Sequence, residues 1–72
     1  MTLQGIQDDL LARHGELMTG EPLRRALGFA SERSFLRAAK GKNLPVRVFE
    51  LAGRRGRFAR TRDVAQWLST LV

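Results

Sequence analysis

The stretch Leu44–Leu71, LPVRVFELAGRRGRFARTRDVAQWLSTL, decides the fold because it holds two strand-like segments, an arginine-containing loop and an amphipathic helix. Side chains alternate along a strand, so Phe49 and Leu51 are predicted to face inward, on the side opposite Val46. The segment 45–60 is therefore predicted to form a β-hairpin.

The tip of this hairpin combines two glycines with two arginines. Gly53 and Gly56 stand where a hairpin loop needs positive φ angles, and Arg54 and Arg55 lie between them. A loop kept soluble by its charge is one interpretation of this pattern. A cationic contact with a partner is the other.

The C-terminal segment 61–72 is predicted to be a helix. Thr61 is its predicted N-cap, and Asp63 lies in the first turn, where a carboxylate meets the positive end of the helix dipole. An apolar stripe follows at helical spacing, formed by Val64, Trp67, Leu68 and Leu71.

The N-terminal segment 1–15 is predicted to be an additional helix, running from Thr2 to His14 and ending at Gly15. It is expected to support packing or to form a homodimer contact. His14, near the helix end, is expected to be a favourable dipole partner rather than a ligand. Met18 then begins a short extended segment.

The segment 19–41 is typical of a helix-turn-helix, two short helices joined by a turn that begins at Gly28. The predicted helices are Gly20–Leu27, capped by Thr19, and Glu32–Lys40, capped by Ser31.

The helix 32–40 has an apolar and a cationic side when its residues are placed at helical spacing. The predicted inner side holds Phe35, Leu36, Ala38 and Ala39, and the outer side holds Arg33, Ser34, Arg37 and Lys40. A solvated helix face usually mixes both signs of charge. Since the outer side has no carboxylate, recognition is favoured over simple solvation.

The net charge of +6 is concentrated in the middle of the chain. Residues 1–21 carry a net −3, whereas residues 22–62 carry a net +10. Such an asymmetry indicates one surface that faces a polyanion, and nucleic acid is the first candidate. Basic patches also occur on proteins that bind acidic protein partners.

Other function classes find little support in the sequence. The chain has no cysteine and one histidine, and the segment 53–56 lacks the GK[ST] ending of a phosphate-binding loop. We therefore expect no catalysis, no metal and no cofactor. The absence of a run of about 18 apolar residues and of a signal-peptide pattern predicts a cytoplasmic protein without membrane contact.

Double-stranded DNA is the predicted partner because arginine can donate two hydrogen bonds to guanine in the major groove, while an arginine-tipped loop suits the backbone or the minor groove. The predicted DNA-binding residues are Ser31, Arg33, Ser34, Arg37, Lys40, Arg54, Arg55 and Arg57. Arg60 and Arg62 are further phosphate candidates. RNA ranks lower, since its recognition usually needs exposed aromatic side chains.

These motifs resemble a known family of regulators. The predicted helix-turn-helix is followed in order by Leu44-Pro45, Gly53-Arg54, Phe58, Asp63-Val64 and Trp67-Leu68. This order resembles the excisionase-like, AlpA-type winged-helix regulators, which are relatives of the MerR DNA-binding domain. Glu32-Arg33-Ser34-Phe35-Leu36-Arg37 is also similar to a motif of phage-like pyocin activator proteins. The resemblance implies transcriptional control or DNA architecture in phages, plasmids or genomic islands. The helix 1–15 and a longer first strand depart from the family pattern.

The sequence thus predicts a single, mainly α domain over residues 1–72, a winged helix-turn-helix of order α-α-α-β-β-α. Its predicted function is sequence-specific DNA binding, with the helix 32–40 in the major groove and the segment 45–60 as the wing. The alternative is a protein-interaction module, an anti-repressor or adaptor that binds an acidic partner through the basic face.

Overall fold

A computed structural model describes residues 2–71, which contain four helices and one two-stranded antiparallel sheet. The elements are α1 (Leu3–His14), β1 (Leu17–Thr19), α2 (Gly20–Ala26), α3 (Glu32–Lys40), β2 (Phe58–Arg60) and α4 (Thr61–Ser69). The prediction of a mainly helical fold is confirmed. The order α-β-α-α-β-α differs from the predicted α-α-α-β-β-α.

The helix α1 begins and ends where local sequence signals predict. The Thr2 hydroxyl accepts a hydrogen bond from the Gly5 N–H at 3.1 Å, and Gly15 has a φ of 75°. The Gly15 N–H donates to the Leu11 carbonyl at 2.9 Å. α1 packs mainly against α4 and buries Ile6, so the predicted packing role of this helix is observed.

The sheet pairs β2 with β1, and this corrects the predicted partner of the return strand. Met18 lies opposite Ala59, and these side chains are 1% and 0% exposed. The extended segment predicted at Met18 is therefore a strand. The pairing of β2 with the distant β1 is favoured over a hairpin with residues 45–51, because it buries apolar side chains on both strands.

The predicted hairpin 45–60 is reduced to a single bridge. Phe49 and Phe58 exchange two backbone hydrogen bonds, of 2.9 and 2.8 Å, and no ladder continues from them within the described residues. Val46 and Val48 pack against the core, and Phe49 and Leu51, which were predicted to face inward, are half-buried as well. Because residues 45–51 form no strand, the strict alternation of side chains in a strand does not apply to them.

Thr61 is the first residue of α4, and its predicted role as N-cap is wrong. Arg60 occupies the cap position. The fully buried Thr61 hydroxyl donates to the Gly15 carbonyl at 2.6 Å, and the Thr61 N–H donates to the Glu16 carbonyl at 2.9 Å. The side chain therefore ties α4 to the end of α1, an interaction between segments that local capping rules do not address.

A tight turn joins α2 to α3. Gly28 has a φ of 87°, and the Phe29 N–H donates to the Arg24 carbonyl at 3.1 Å, as in a Schellman motif. The Ser31 hydroxyl then accepts from the Ser34 N–H at 3.1 Å, which confirms the predicted cap of α3. Thr19 occupies the cap position of α2, but its hydroxyl donates instead to the Arg57 carbonyl at 2.7 Å.

The core lies between α2, α3, the sheet and α4. Its buried residues are Met18, Leu23, Leu27, Phe35, Ala59 and Val64. Trp67 and Leu68 pack on its edge as predicted. Leu71 is 61% exposed because α4 ends at Ser69, so its assignment to the apolar stripe is wrong.

Candidate functional site

Packing sets the orientation of α3, and this orientation corrects the predicted faces. Phe35 is 5% exposed and contacts Phe29 edge to face, with ring centroids 5.8 Å apart. Leu36, predicted to lie inside, is 42% exposed, and Ser34, predicted to lie outside, is half-buried. Successive residues on a helix are about 100° apart, so a short helix that centres Phe35 on the core turns Leu36 outward.

The outer face of α3 presents three cations on successive turns. Arg33, Arg37 and Lys40 are all exposed. Within residues 2–71 no carboxylate lies within 4.0 Å of these three side chains. The predicted cationic face is therefore present and is not neutralised by ion pairs in that part of the chain.

Several other arginines do form ion pairs. The pairs are Arg13–Asp9, Arg24–Glu21, Arg25–Glu21, Arg57–Glu50 and Arg62–Glu16. The basic residues therefore fall into two groups, those that form ion pairs and those that do not. The second group includes the cations on the outer face of α3.

The two predicted serine contacts are engaged in capping α3. In addition to the cap bond, the Ser34 hydroxyl donates to the Ser31 carbonyl at 2.9 Å, and the two hydroxyl oxygens are 3.1 Å apart. These bonds fix the first turn of α3. A DNA contact by Ser31 or Ser34 remains a prediction.

The segment 51–57, here called the arginine loop, presents the two tip arginines. Its turn is closed by the Arg54 N–H, which donates to the Leu51 carbonyl at 3.1 Å, while Gly53 has a φ of 76°. Gly56 has a φ of 89°, as its predicted turn role requires. Arg54 and Arg55 are exposed and, within residues 2–71, have no carboxylate within 4.0 Å.

Arg57 differs from the tip arginines, because it connects the arginine loop to the body of the protein. Its guanidinium lies 3.5 Å from the Glu50 carboxylate, and its carbonyl accepts the hydrogen bond from Thr19. Its side chain is partly shielded. Arg57 therefore has a structural role. Its predicted contact with a phosphate stays a prediction.

The return strand and α4 carry two further phosphate candidates. Arg62 pairs with Glu16 through two nitrogen atoms, both at 3.3 Å. Arg60 is exposed and lines a shallow depression with Arg47 and Asp63. Arg62 is thus neutralised by a neighbour, and Arg60 lines a different depression from Arg55.

An open cleft brings the arginine loop and α3 together. It has a volume of about 590 Å³ and is lined by Glu21 and Arg24 of α2, by Glu32, Phe35 and Leu36 of α3, and by residues 55–57. Arg55 and Leu36 therefore border the same cleft.

Five exposed cations are together called the cationic surface below, and of these Arg55 lines the cleft. They are Arg33, Arg37, Lys40, Arg54 and Arg55.

Of the residues that line this cleft, only Arg55 and Arg57 were predicted DNA contacts, and Arg24 and Leu36 are two that were not predicted to belong to a site. The Arg24 guanidinium donates to the Phe29 carbonyl at 2.8 Å, so it stabilises the turn between α2 and α3 and is not an outward cation. Leu36 was assigned to the core because apolar side chains usually lie inside. One feature of the sequence could have indicated that Leu36 is exposed. Leu36 lies at the edge of the apolar side of α3, next to Lys40 in the following turn.

Within residues 2–71 no three His, Cys, Asp or Glu side chains converge on a common point as metal ligands would. None of the helices in that range combines the length and the hydropathy needed to cross a bilayer. Comparisons with protein-family models, curated protein sequences and solved structures found no match. The family resemblance therefore stays a prediction from sequence.

Proposed function

We propose that this chain is a sequence-specific double-stranded DNA-binding protein of the winged helix-turn-helix type, without catalytic activity. In this proposal α3 enters the major groove, and the arginine loop lies against the backbone or in the minor groove. The biological role would be that of a small transcriptional regulator or excisionase-like factor of a phage, plasmid or genomic island.

The observation that carries the proposal is the unneutralised outer face of α3. Three exposed cations without a carboxylate partner in residues 2–71 repel one another, so this face is better suited to a polyanion than to water alone. An α-helix fits the major groove, which is about 12 Å wide. The nine residues of α3 span roughly 13 Å at 1.5 Å per residue.

The arginine loop supplies the second contact in this proposal. Arg55 lines one cleft with Glu32, Phe35 and Leu36 of α3, so in this proposal a duplex that receives the helix along its Leu36 edge also meets the tip. Phosphate contacts of this kind fix the position of a protein on DNA and carry no sequence information themselves. Base recognition is therefore assigned to α3 and positioning to the arginine loop.

A protein-interaction role is the second candidate, favoured by the composition of the cleft. Leu36 supplies exposed apolar surface in a cleft that Arg55 and Arg57 also line, together with Glu21 and Glu32. An acidic peptide with an apolar anchor could use both features. In this alternative the chain would act as an anti-repressor or adaptor.

Mapping of amide signals by nuclear magnetic resonance distinguishes the two candidates. Adding a mixed-sequence DNA duplex at physiological salt is expected to shift the amide signals of residues 32–40 and 53–57. The signals of residues 3–12 in α1 serve as the internal control and should stay unchanged. Shifts confined to α1, or no shifts at all, would contradict the proposed function.

A further inference from the structure

Leu36 is an exposed apolar side chain at the edge of the cationic face of α3. It is 42% exposed, although a leucine is usually buried in a core. Along α3 it follows Arg33 by three residues and precedes Lys40 by four, so all three lie on one stripe of the helix. Arg37 is its neighbour in the chain. Leu36 thus lies at the edge of the face whose cations the proposed function assigns to DNA, with Glu32 one turn before it.

The neighbours of Leu36 determine the direction in which it can make contacts. It borders the cleft together with the arginine loop, whereas Phe35 fills the core beneath it. A ligand that meets Arg33 and Lys40 from outside must also approach Leu36. That ligand has to offer an apolar group at this point, since covering a leucine with polar groups alone would leave those groups without hydrogen bonds.

On the edges of base pairs in the major groove, the apolar group is the 5-methyl of thymine. Resting on the proposed function, we infer that Leu36 is a specificity-determining residue that contacts a thymine methyl in the bound duplex. Leu36 has no side-chain donor or acceptor, so it discriminates by apolar contact alone. Its contribution depends on the base sequence and is insensitive to the number of phosphates contacted.

The test uses a DNA duplex selected from a random pool by the wild-type chain. Each thymine of that duplex is replaced singly by deoxyuridine, which lacks only the methyl group. We expect one replacement to weaken wild-type binding about fourfold, the factor that corresponds to about 0.8 kcal/mol for one buried methylene-sized group. The Leu36→Ala variant should bind both duplexes with nearly equal affinity.

Leu36→Met is the matched variant, because it keeps an apolar side chain of similar volume and should retain the sensitivity to deoxyuridine. A selected duplex without thymine near its centre would overturn the inference. So would a deoxyuridine effect that persists in Leu36→Ala. In both cases duplex binding itself survives, and with it the proposed function. If the wild-type chain binds no duplex at all, the proposed function and this inference both fail.

Discussion

Replacing Arg33 and Arg37 together by alanine is expected to lower the affinity for a selected DNA duplex at least about 30-fold. A bidentate arginine–guanine contact contributes about 1–3 kcal/mol of discrimination, and two such losses exceed about 2 kcal/mol. Sequence preference should fall with affinity, because α3 is the element assigned to the bases. Competition binding with selected and scrambled duplexes measures both quantities.

The charge-matched control removes two arginines that form ion pairs elsewhere. Arg13 pairs with Asp9 and Arg62 pairs with Glu16, and both guanidinium groups are more than half exposed. Arg13→Ala combined with Arg62→Ala changes the net charge by the same amount. It should change the affinity less than about threefold, because exposed pairs contribute little. An equal loss in both double variants would mean that net charge, and not α3, drives binding.

The second large effect concerns the free energy of unfolding. Phe35→Ala is expected to lower it by about 3–5 kcal/mol, because the ring is 5% exposed and contacts Phe29. A domain of 72 residues has a total stability of roughly 4–11 kcal/mol. This substitution should therefore bring the chain close to unfolding. Urea denaturation followed by circular dichroism measures the change.

Leu36→Ala, one residue further along the same helix, is the control for Phe35→Ala. Its side chain is largely outside the core, so the expected loss of stability is below about 1 kcal/mol. The comparison tests the orientation of α3 directly. If Leu36→Ala were the more destabilising change, the sequence-based assignment of Leu36 to the core would be right and the observed orientation wrong.

The helix ends were predictable because their signals are local. Thr2 and Ser31 each accept a hydrogen bond from the N–H three residues later, and Gly15 and Gly28 adopt positive φ angles just beyond helices. Each signal depends on groups within a few residues in the chain. The exceptions are Thr61, whose hydroxyl donates to the Gly15 carbonyl 46 residues away, and Thr19, whose hydroxyl donates to the Arg57 carbonyl. The residues next to Thr61 in the sequence give no indication of so distant a partner.

The sheet could not be predicted in the same way. Alternation of apolar residues in 44–51 predicts a strand, but only Phe49 forms a bridge there, and Val46, Val48 and Phe49 are all half-buried. The partner of β2 depended on Met18, whose three-residue strand is too short to give a periodic pattern. Long-range pairing is decided by the whole core and not by either segment alone.

The cationic surface followed from the sequence, since Arg33, Arg37 and Lys40 recur at helical spacing. Their freedom from ion pairs within residues 2–71 needed the structure, because the pairs Arg57–Glu50 and Arg62–Glu16 form between separate segments. The exposure of Leu36 also needed the structure. It depends on how α3 is rotated about its axis when Phe35 packs into the core. Helical spacing in the sequence does not determine this rotation more finely than the 100° between successive residues.

The most direct test of the cationic surface is the salt dependence of its binding to duplex DNA. If binding neutralises about five phosphates, the slope of log K against log salt should be about −4.5, at about 0.9 per phosphate. Arg54→Ala combined with Arg55→Ala should weaken binding to all duplexes similarly and reduce the slope by about 1.8. Binding that is insensitive to salt, or a slope unchanged in the loop variant, would contradict the assignment of this surface to DNA.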